Sequence, residues 1–421
     1  MHYRFSRLFL LSVWALALAS GASHAAPSLS LAEAQRIASG DAPQIDAQAA
    51  ALRAAQQASL GAGELPDPKL ILGIDNVPTD GADRFNLTRD FMTMRKIGFM
   101  QDFTRDEKLK LRGDRATAEV QKEAAILWLT KLNLRRDVAL AWIERHFAER
   151  QLDLLKALSR ESELQVTAAQ ATLAGGKGQA ADPFAARLAV AQLADRITEA
   201  ERNVARAQAN LVRWIGSAAR QPLDTAPRFD QLAHPQAEMT GNLDAHPQLA
   251  IYAPLQAMAA SEMKLADAAK RPDWTLEVAY AQRGPAYSNM LSIGVRIDLP
   301  IFQSRRQDPA VASKVALVEQ VRAQAEDARR AHAAEIDIML ADWNAANARL
   351  QRYAAELLPL AYERTEVTLA GYRGGKGELA LVLEGRKGEI ETRMNQLQAH
   401  GELARAWAQL NFLLPDKKDP S

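Results

Sequence analysis

The sequence predicts an α+β membrane protein. Four β-strands per chain, joined with those of two further chains, would close a twelve-stranded β-barrel carried on long α-helical coiled-coil hairpins. Three observations predict it. A passage of the chain occurs twice: Ile97-Gly98-Phe99, with Asp102 beyond it, returns as Ile293-Gly294-Val295 with Asp298 beyond it. Gly175-Gly176-Lys177-Gly178 returns as Gly374-Gly375-Lys376-Gly377, and Ala42-Pro43-Gln44-Ile45 as His246-Pro247-Gln248-Leu249. The offset, roughly two hundred residues, exceeds the 20–50 residue period of solenoids, so the internal two-fold sequence repeat duplicates a half-molecule. The second observation is two-residue alternation in four short stretches, with one face of each more polar than the other. The third is a pair of very long helical tracts, residues 105–173 and 310–370.

The elements follow in order. Residues 1–25 read as a signal peptide: Arg4 and Arg7 are basic, 8–19 are apolar, and Ser23-His24-Ala25 suits cleavage after Ala25. The first repeat covers 26–216. Ser30 is a helix N-cap, the helix runs over 30–63, and Pro66 and Pro68 stop it. A strand follows at about 69–77, then a turn-rich loop, then a strand at about 91–103. There Phe91, Thr93, Ile97, Phe99 and Phe103 share one face, and Met92, Met94, Lys96, Gly98, Met100 and Asp102 the other. A helical hairpin spans about 105–215, reversed at Gly175–Gly178. Asp182-Pro183 reads as an N-cap followed by Pro at the first helical position. Residues 217–244, with several Pro and little periodicity, form the inter-repeat linker.

The second repeat, 245–415, repeats the plan. A helix covers about 247–269, strands about 274–282 and 289–299, and a helical hairpin about 303–414, with a tail at 416–421. Val311, Val315, Val318, Ile336, Leu340, Trp343, Leu350, Leu357 and Leu360 keep three- and four-residue steps, the spacing of coiled coils and bundles.

Composition excludes several functions. The 421 residues are 48% hydrophobic and carry a net charge of +1, so no basic surplus points to nucleic acid. There are no cysteines, which removes disulfides, thiolate metal sites and a Cys nucleophile. Gly-Gly-Lys-Gly follows a helix and lacks the P-loop spacing, and no Ser-His-Asp motif is present, so an enzyme is not expected and no cofactor is implied. Beyond the leader, no stretch reaches 18 apolar residues. Entry into a bilayer would therefore use a β-barrel, the remaining way to satisfy every backbone group in lipid.

Four strands cannot close such a barrel; three chains would supply twelve. The alternation then assigns Asp75, Lys96, Asp102, Glu277, Arg296 and Asp298 to a wet lumen. It assigns Phe91, Phe99, Trp274, Leu276, Ile293 and Val295 to lipid. A soluble sheet with one solvated face is the alternative for the strands, and a monomeric bundle for the hairpins.

Strand pair plus long helical hairpin, given twice, resembles the TolC-like outer membrane efflux protein family over essentially the whole mature sequence. Glu64-Leu65-Pro66-Asp67-Pro68-Lys69-Leu70 running to Asn76-Val77-Pro78, and Leu87-Thr88-Arg89-Asp90-Phe91-Met92-Thr93-Met94-Arg95, are similar to its heavy-metal efflux (CzcC/CusC-like) branch, the outer-membrane components of CzcCBA- and CusCBA-type systems. The resemblance implies a homotrimer in the outer membrane of a Gram-negative bacterium. Its barrel would sit in outer membrane lipid, and its helical cylinder in the periplasm. A periplasmic adaptor and an inner-membrane pump of the resistance-nodulation-division type would deliver substrate to this passive duct. It places Gly175, Gly176, Lys177, Gly178, Tyr372, Gly374, Gly375, Lys376 and Gly377 at adaptor-contacting tips. Asp182 and Glu384 are candidate constriction residues, although Leu381 stands where the family commonly has Asp. Heavy-metal cations are the expected cargo. Drugs or organic compounds are the alternative, and a soluble periplasmic coiled-coil adaptor the alternative of a different class.

Met92, Met94 and Met100 share the lumen-assigned face, where thioethers suit soft ions, but packing is the simpler role. His146, His234, His246, His332 and His400 are scattered without ligand spacing, so no resident metal site is expected.

Overall fold

The computed structural model describes residues 28–176 and 179–415. The expected signal peptide, Lys177, Gly178 and the tail at 416–421 lie outside the described residues. Helix α1 (Leu31–Gly40) starts at Ser30, whose hydroxyl accepts the Glu33 N–H at 3.1 Å. The expected single helix over 30–63 is in fact two. Pro43 forces Ala42 into an extended conformation, so the chain turns at Asp41 and restarts as α2 (Pro43–Ala62).

Strands β1 (Lys69–Asp75) and β2 (Met94–Phe103) follow. β2 begins three residues later than the alternation suggested. The Asp90 carboxylate accepts the N–H groups of Met92 and Thr93 at 2.7 and 2.9 Å, holding that segment in a turn. Phe91 and Met92 therefore lie outside the strand. Helix α3 (Asp106–Ala174) runs unbroken for 69 residues, about 100 Å. Helix α4 (Asp182–Ile215) returns alongside it, and Asp182 is its first residue rather than its cap.

The expected linker is a strap that packs into the molecule. It holds helical turns at Gly216–Arg220 and Leu243–Ala245 and the short helix α5 (Gln236–Gly241). Ala219, Phe229, Met239 and Leu243 are buried in the main core. The guanidinium of buried Arg145 donates to the carbonyls of Ala219 and Gln221, which a loose linker would leave to water.

The second repeat comprises α6 (Tyr252–Ala268), β3 (Trp274–Gln282), β4 (Met290–Ile297), α7 (Gln307–Arg352), α8 (Leu358–Arg373) and α9 (Leu379–Asn411). One π-helical turn, Tyr353–Leu357, joins α7 to α8. Pro359 lacks an N–H and its ring presses on the carbonyl four residues back. The wider turn just before it absorbs that misfit.

The core sits at the waist, where α1, α3, α4, α7, α9 and the strap converge. Two smaller apolar clusters continue down the hairpins. One joins Leu155, Leu158, Leu193, Ala200 and Ile390; the other joins Ala169, Ala186, Leu379 and Val382. The two hairpins of one chain thus lie against each other along their length. At the waist the repeats make the same bond twice. Trp142 Nε1 donates to the Leu29 carbonyl and Trp343 Nε1 to the Phe229 carbonyl, each at 3.0 Å and across 113 and 114 residues of chain respectively.

Candidate functional site

All four strands form one antiparallel sheet in the order β1-β2-β3-β4. β2 pairs with β3, so the sheet joins the two repeats. The register separates its faces, because paired residues project the same way. Leu70, Leu72, Ile97, Phe99, Trp274, Leu276, Val278, Tyr280, Leu291, Ile293, Val295 and Ile297 share one face. Most of them are exposed, Leu291 at 67% and Ile293 at 69%. Phe103 and Trp274 stack with centroids 4.2 Å apart at the helix end, and Tyr280 closes the loop end. Trp274 and Tyr280 are six positions apart, about 20 Å of strand.

The opposite face carries the charges. Lys96 meets Glu277 at 2.7 Å, and Arg296 reaches the same carboxylate at 3.8 Å. Lys69 meets Asp102 at 2.8 Å, and the Thr275 hydroxyl donates to Asp102 at 2.7 Å. Asp75 pairs in register with Met94 on this face, and Met100 lies opposite both Lys69 and Glu277. Asp298 falls one residue past β4, where its N–H donates to the Asp273 carbonyl at 3.4 Å. Of the expected lipid-facing set, Phe99, Trp274, Leu276, Ile293 and Val295 share the apolar face. Phe91 is in the preceding turn.

Both sheet edges, β1 and β4, have no partner strand among the described residues. A Cβ on Gly98 would lie 2.8 Å from the Ala279 Cβ and 2.9 Å from the Val278 carbonyl, so β2 and β3 approach closely only because this residue is glycine. The equivalent Gly294 on the edge strand meets nothing within 4 Å.

At the far ends of the hairpins, the repeated glycine turns sit side by side. Gly176 and Gly375 adopt φ of 71° and 72°, the left-handed conformation that reverses a helix tightly. Lys376 N–H closes the second turn onto the Gly371 carbonyl at 2.9 Å, and a Cβ on Gly377 would crowd Tyr372 and Gly371. Tyr372 packs against the apolar cluster that unites the two tips. The Asp182 carboxylate accepts the Gln179 N–H at 3.0 Å and closes its own turn. Glu384 is exposed and paired with Arg364 on α8 at 3.0 Å, while Leu381 is exposed.

Periodicity did not reveal one ionic cluster. Glu389, 1% exposed, lies between Arg386 at 3.0 Å and Arg393 at 2.7 Å, and Arg386 also reaches Glu161 on α3 at 3.2 Å. In sequence these are ordinary i, i+3 and i, i+4 pairs of a solvated face. Only the packing of α3 against α9 buries them.

The histidines are not scattered in space. His246 and His332 are buried and their ring nitrogens meet at 3.0 Å; His146 and His400 both pack on Phe147. Burial first, then the neighbouring His332, pushes His246 down to about 4. Burial, then Arg150 and His400, does the same to His146. Glu262 on α6 is held below the ordinary carboxylate range by hydrogen bonds from Lys314 on α7 and Arg115 on α3. Among the described residues no three acidic, His or Cys side chains are placed to hold a metal ion. No helix among them is long and apolar enough to cross a membrane.

Residues 242–415, the second repeat, match the outer membrane efflux protein family. No curated protein matches the chain in sequence. Solved structures that share the fold include the following. A membrane protein from Pseudomonas aeruginosa aligns with a TM-score of 0.78 at 16% identity, covering 91% of this chain and 93% of that one. The outer membrane protein VceC of Vibrio cholerae aligns at 0.75 and 18% identity, covering 91% and 95%. CusC, described in terms of transmembrane channel formation, aligns at 0.76 and 15% identity, covering 91% of both chains. The chain therefore has the fold of these three membrane proteins along nearly its whole described length.

Proposed function

We propose that three copies of this chain assemble into an outer membrane efflux duct. β4 of one chain would pair with β1 of the next, closing twelve strands around a wet lumen, with the helical hairpins forming a periplasmic cylinder. One observation carries the reading. A four-stranded sheet presents an exposed apolar face bordered by aromatics, a salt-bridged charged face, and two unpartnered edges. A soluble sheet would bury the first face rather than the second.

In this reading the chain performs no chemistry. A periplasmic adaptor would dock at the tips formed by Gly175, Gly176, Lys177, Gly178, Tyr372, Gly374, Gly375, Lys376 and Gly377, and an inner-membrane pump would drive transport. Glu384 contributes to the constriction as a carboxylate tied to Arg364, whereas Asp182 serves its own turn. The cargo is heavy-metal cations. The support for that is the pair of motifs at Glu64–Leu70 and Leu87–Arg95, and the charges on the lumen face are consistent with it.

The test is placement of a charge on each face. Ile293→Arg or Val295→Arg should cost about 2–4 kcal/mol and prevent assembly in the outer membrane, while Ser292→Arg on the opposite face is tolerated. Normal outer-membrane assembly of both apolar-face variants would overturn the barrel.

A further inference from the structure

We propose that the loop end of the sheet binds the phosphate of an outer-leaflet lipid headgroup, through Arg95 with Arg283 and Arg89 beside it. The proposal rests on the membrane reading above, which sets this end of the barrel at the outer surface.

Arg95 stands in register with Ile74 and Gln282, two residues before Ile97, and so belongs to the apolar face. Among the described strand residues it is the one charged side chain there. An arginine at mid-bilayer would be costly, but at the interface most of that cost disappears. Arg95 is at that end of the strand.

Among the described residues its charge has no ion-pair partner. The guanidinium makes one long bond, Nη2 to the Arg283 carbonyl at 3.4 Å, and its buried Nε–H has no partner. Arg283 is in the same condition. Its Nη2 donates to the Phe91 carbonyl, its guanidinium lies over the Tyr287 ring at 5.0 Å, and its buried Nε–H is unpaired. Arg89 makes no ion pair among the described residues, and its carbonyl accepts from the Tyr287 hydroxyl at 3.4 Å. The carboxylate of Asp90, next to Arg89 in sequence, is committed to the N–H groups of Met92 and Thr93. Asp75, Asp80 and Asp83 form no ion pair with these arginines among the described residues.

The helix end of the same sheet is the contrast. There Lys69 pairs with Asp102, Lys108 with Asp273, Lys270 with Asp308 and Arg271 with Glu107. These four cations are paired inside the chain, although Arg105, Arg305 and Arg306 beside them form no ion pair among the described residues; at the loop end Arg95, Arg283 and Arg89 all lack one. A guanidinium matches phosphate with a bidentate, charge-assisted pair, and an anionic headgroup sits where the apolar band ends.

The loop is also ordered in advance. The Asn86 side chain caps the N–H groups of Thr88 and Arg89, each at 2.9 Å. Gly284 lies so close to the Thr88 carbonyl that no Cβ fits there. The two outer loops are thereby clamped together, and the arginines are held near one another without a ligand.

The experiment is native mass spectrometry of the purified full chain in detergent. The probes are diphosphorylated lipid A, its dephosphorylated form, phosphatidylcholine and inorganic phosphate. Wild-type protein should retain the diphosphorylated lipid and neither of the other two lipids. Arg95→Gln should lower retention about tenfold, Arg89→Gln less, and Arg95→Lys to an intermediate level, because it keeps the charge and loses the fork. Equal retention by wild type and all three variants would overturn the site, as would equal retention of the dephosphorylated lipid. Saturation by millimolar inorganic phosphate with no preference for the lipid would overturn the lipid as its source. A wild-type chain that stays in the soluble fraction and retains no lipid would instead sink the membrane reading, and this proposal with it.

Discussion

Gly98 and Gly294 occupy the same place in two copies of one motif, yet their surroundings differ completely. A Cβ on Gly98 would collide with Ala279 and Val278, whereas Gly294 meets open space. Every atom that a Gly98 Cβ would meet belongs to β3, where the two repeats join; Gly294 also pairs with β3, at Glu277, but without that close approach. The helices differ in the same way. α3 is continuous for 69 residues, whereas its counterpart is broken by a π-helical turn before Pro359. Against these contrasts, Trp142 and Trp343 make the same indole-to-carbonyl bond at the same length. Duplicated sequence reproduces the long-range waist bond and the local conformation of the glycine turns. It does not reproduce every neighbour, and the neighbours that differ make the halves unequal.

The largest expected effect tests the equal part of that comparison. Trp142→Ala and Trp343→Ala each remove a large buried side chain and orphan a carbonyl, so each should cost about 3–5 kcal/mol in denaturant unfolding. Trp142, fully buried, should lie at the upper end of that range. A loss under about 1 kcal/mol for Trp343 alone would break the equivalence of the two waist contacts.

The unequal part comes next. Gly98→Ala should destabilise by about 1–3 kcal/mol through overpacking, with Gly294→Ala within about 0.5 kcal/mol in the unassembled chain. Measuring both again in the assembled protein sharpens the contrast. A new cost at Gly294 would mean that a neighbouring chain crowds it as Ala279 crowds Gly98.

The smallest effect is on pH dependence, and it draws on one histidine from each half. His146 and His246 are held near 4, below the ordinary 6.5. Between those values the unfolded chain binds more protons than the folded one, so stability falls as pH drops from about 6.5 to about 4 and is flat above. Melting temperature should therefore decline on acidification from pH 7 to pH 5. His246→Gln and His146→Gln should each flatten that decline. An unchanged slope in both variants would remove burial of neutral histidine as its cause.

Much of the fold was legible. The alternation of Leu291, Ile293, Val295 and Ile297 placed β4 and its faces, and the glycine turns marked the hairpin reversals. What escaped notice had physical reasons. The Asp90 side chain out-competed strand pairing at Phe91 and Met92, and Pro43 divided a helix that Ala-rich propensity would have continued. The strap at 217–244 has no periodicity because its carbonyls are satisfied by Arg145, Trp343 and Trp407 from distant helices. Glu389 and the His246–His332 contact were invisible because their partners come from packing, not spacing. For the candidate site, the alternation separated the charged face from the apolar one. Which charges meet across the strands was not readable.

The sequence by itself determined the two-fold plan, the strand faces and the helix reversals, because these depend on residues only a few positions apart. The tertiary structure decided the pairing of β2 with β3, the strap's place in the waist core, the burial of the Glu389 cluster and the unpaired arginines at the loop end. Each of these depends on groups brought together from distant parts of the chain. No local pattern encodes them, because their energies arise only when a particular partner excludes water.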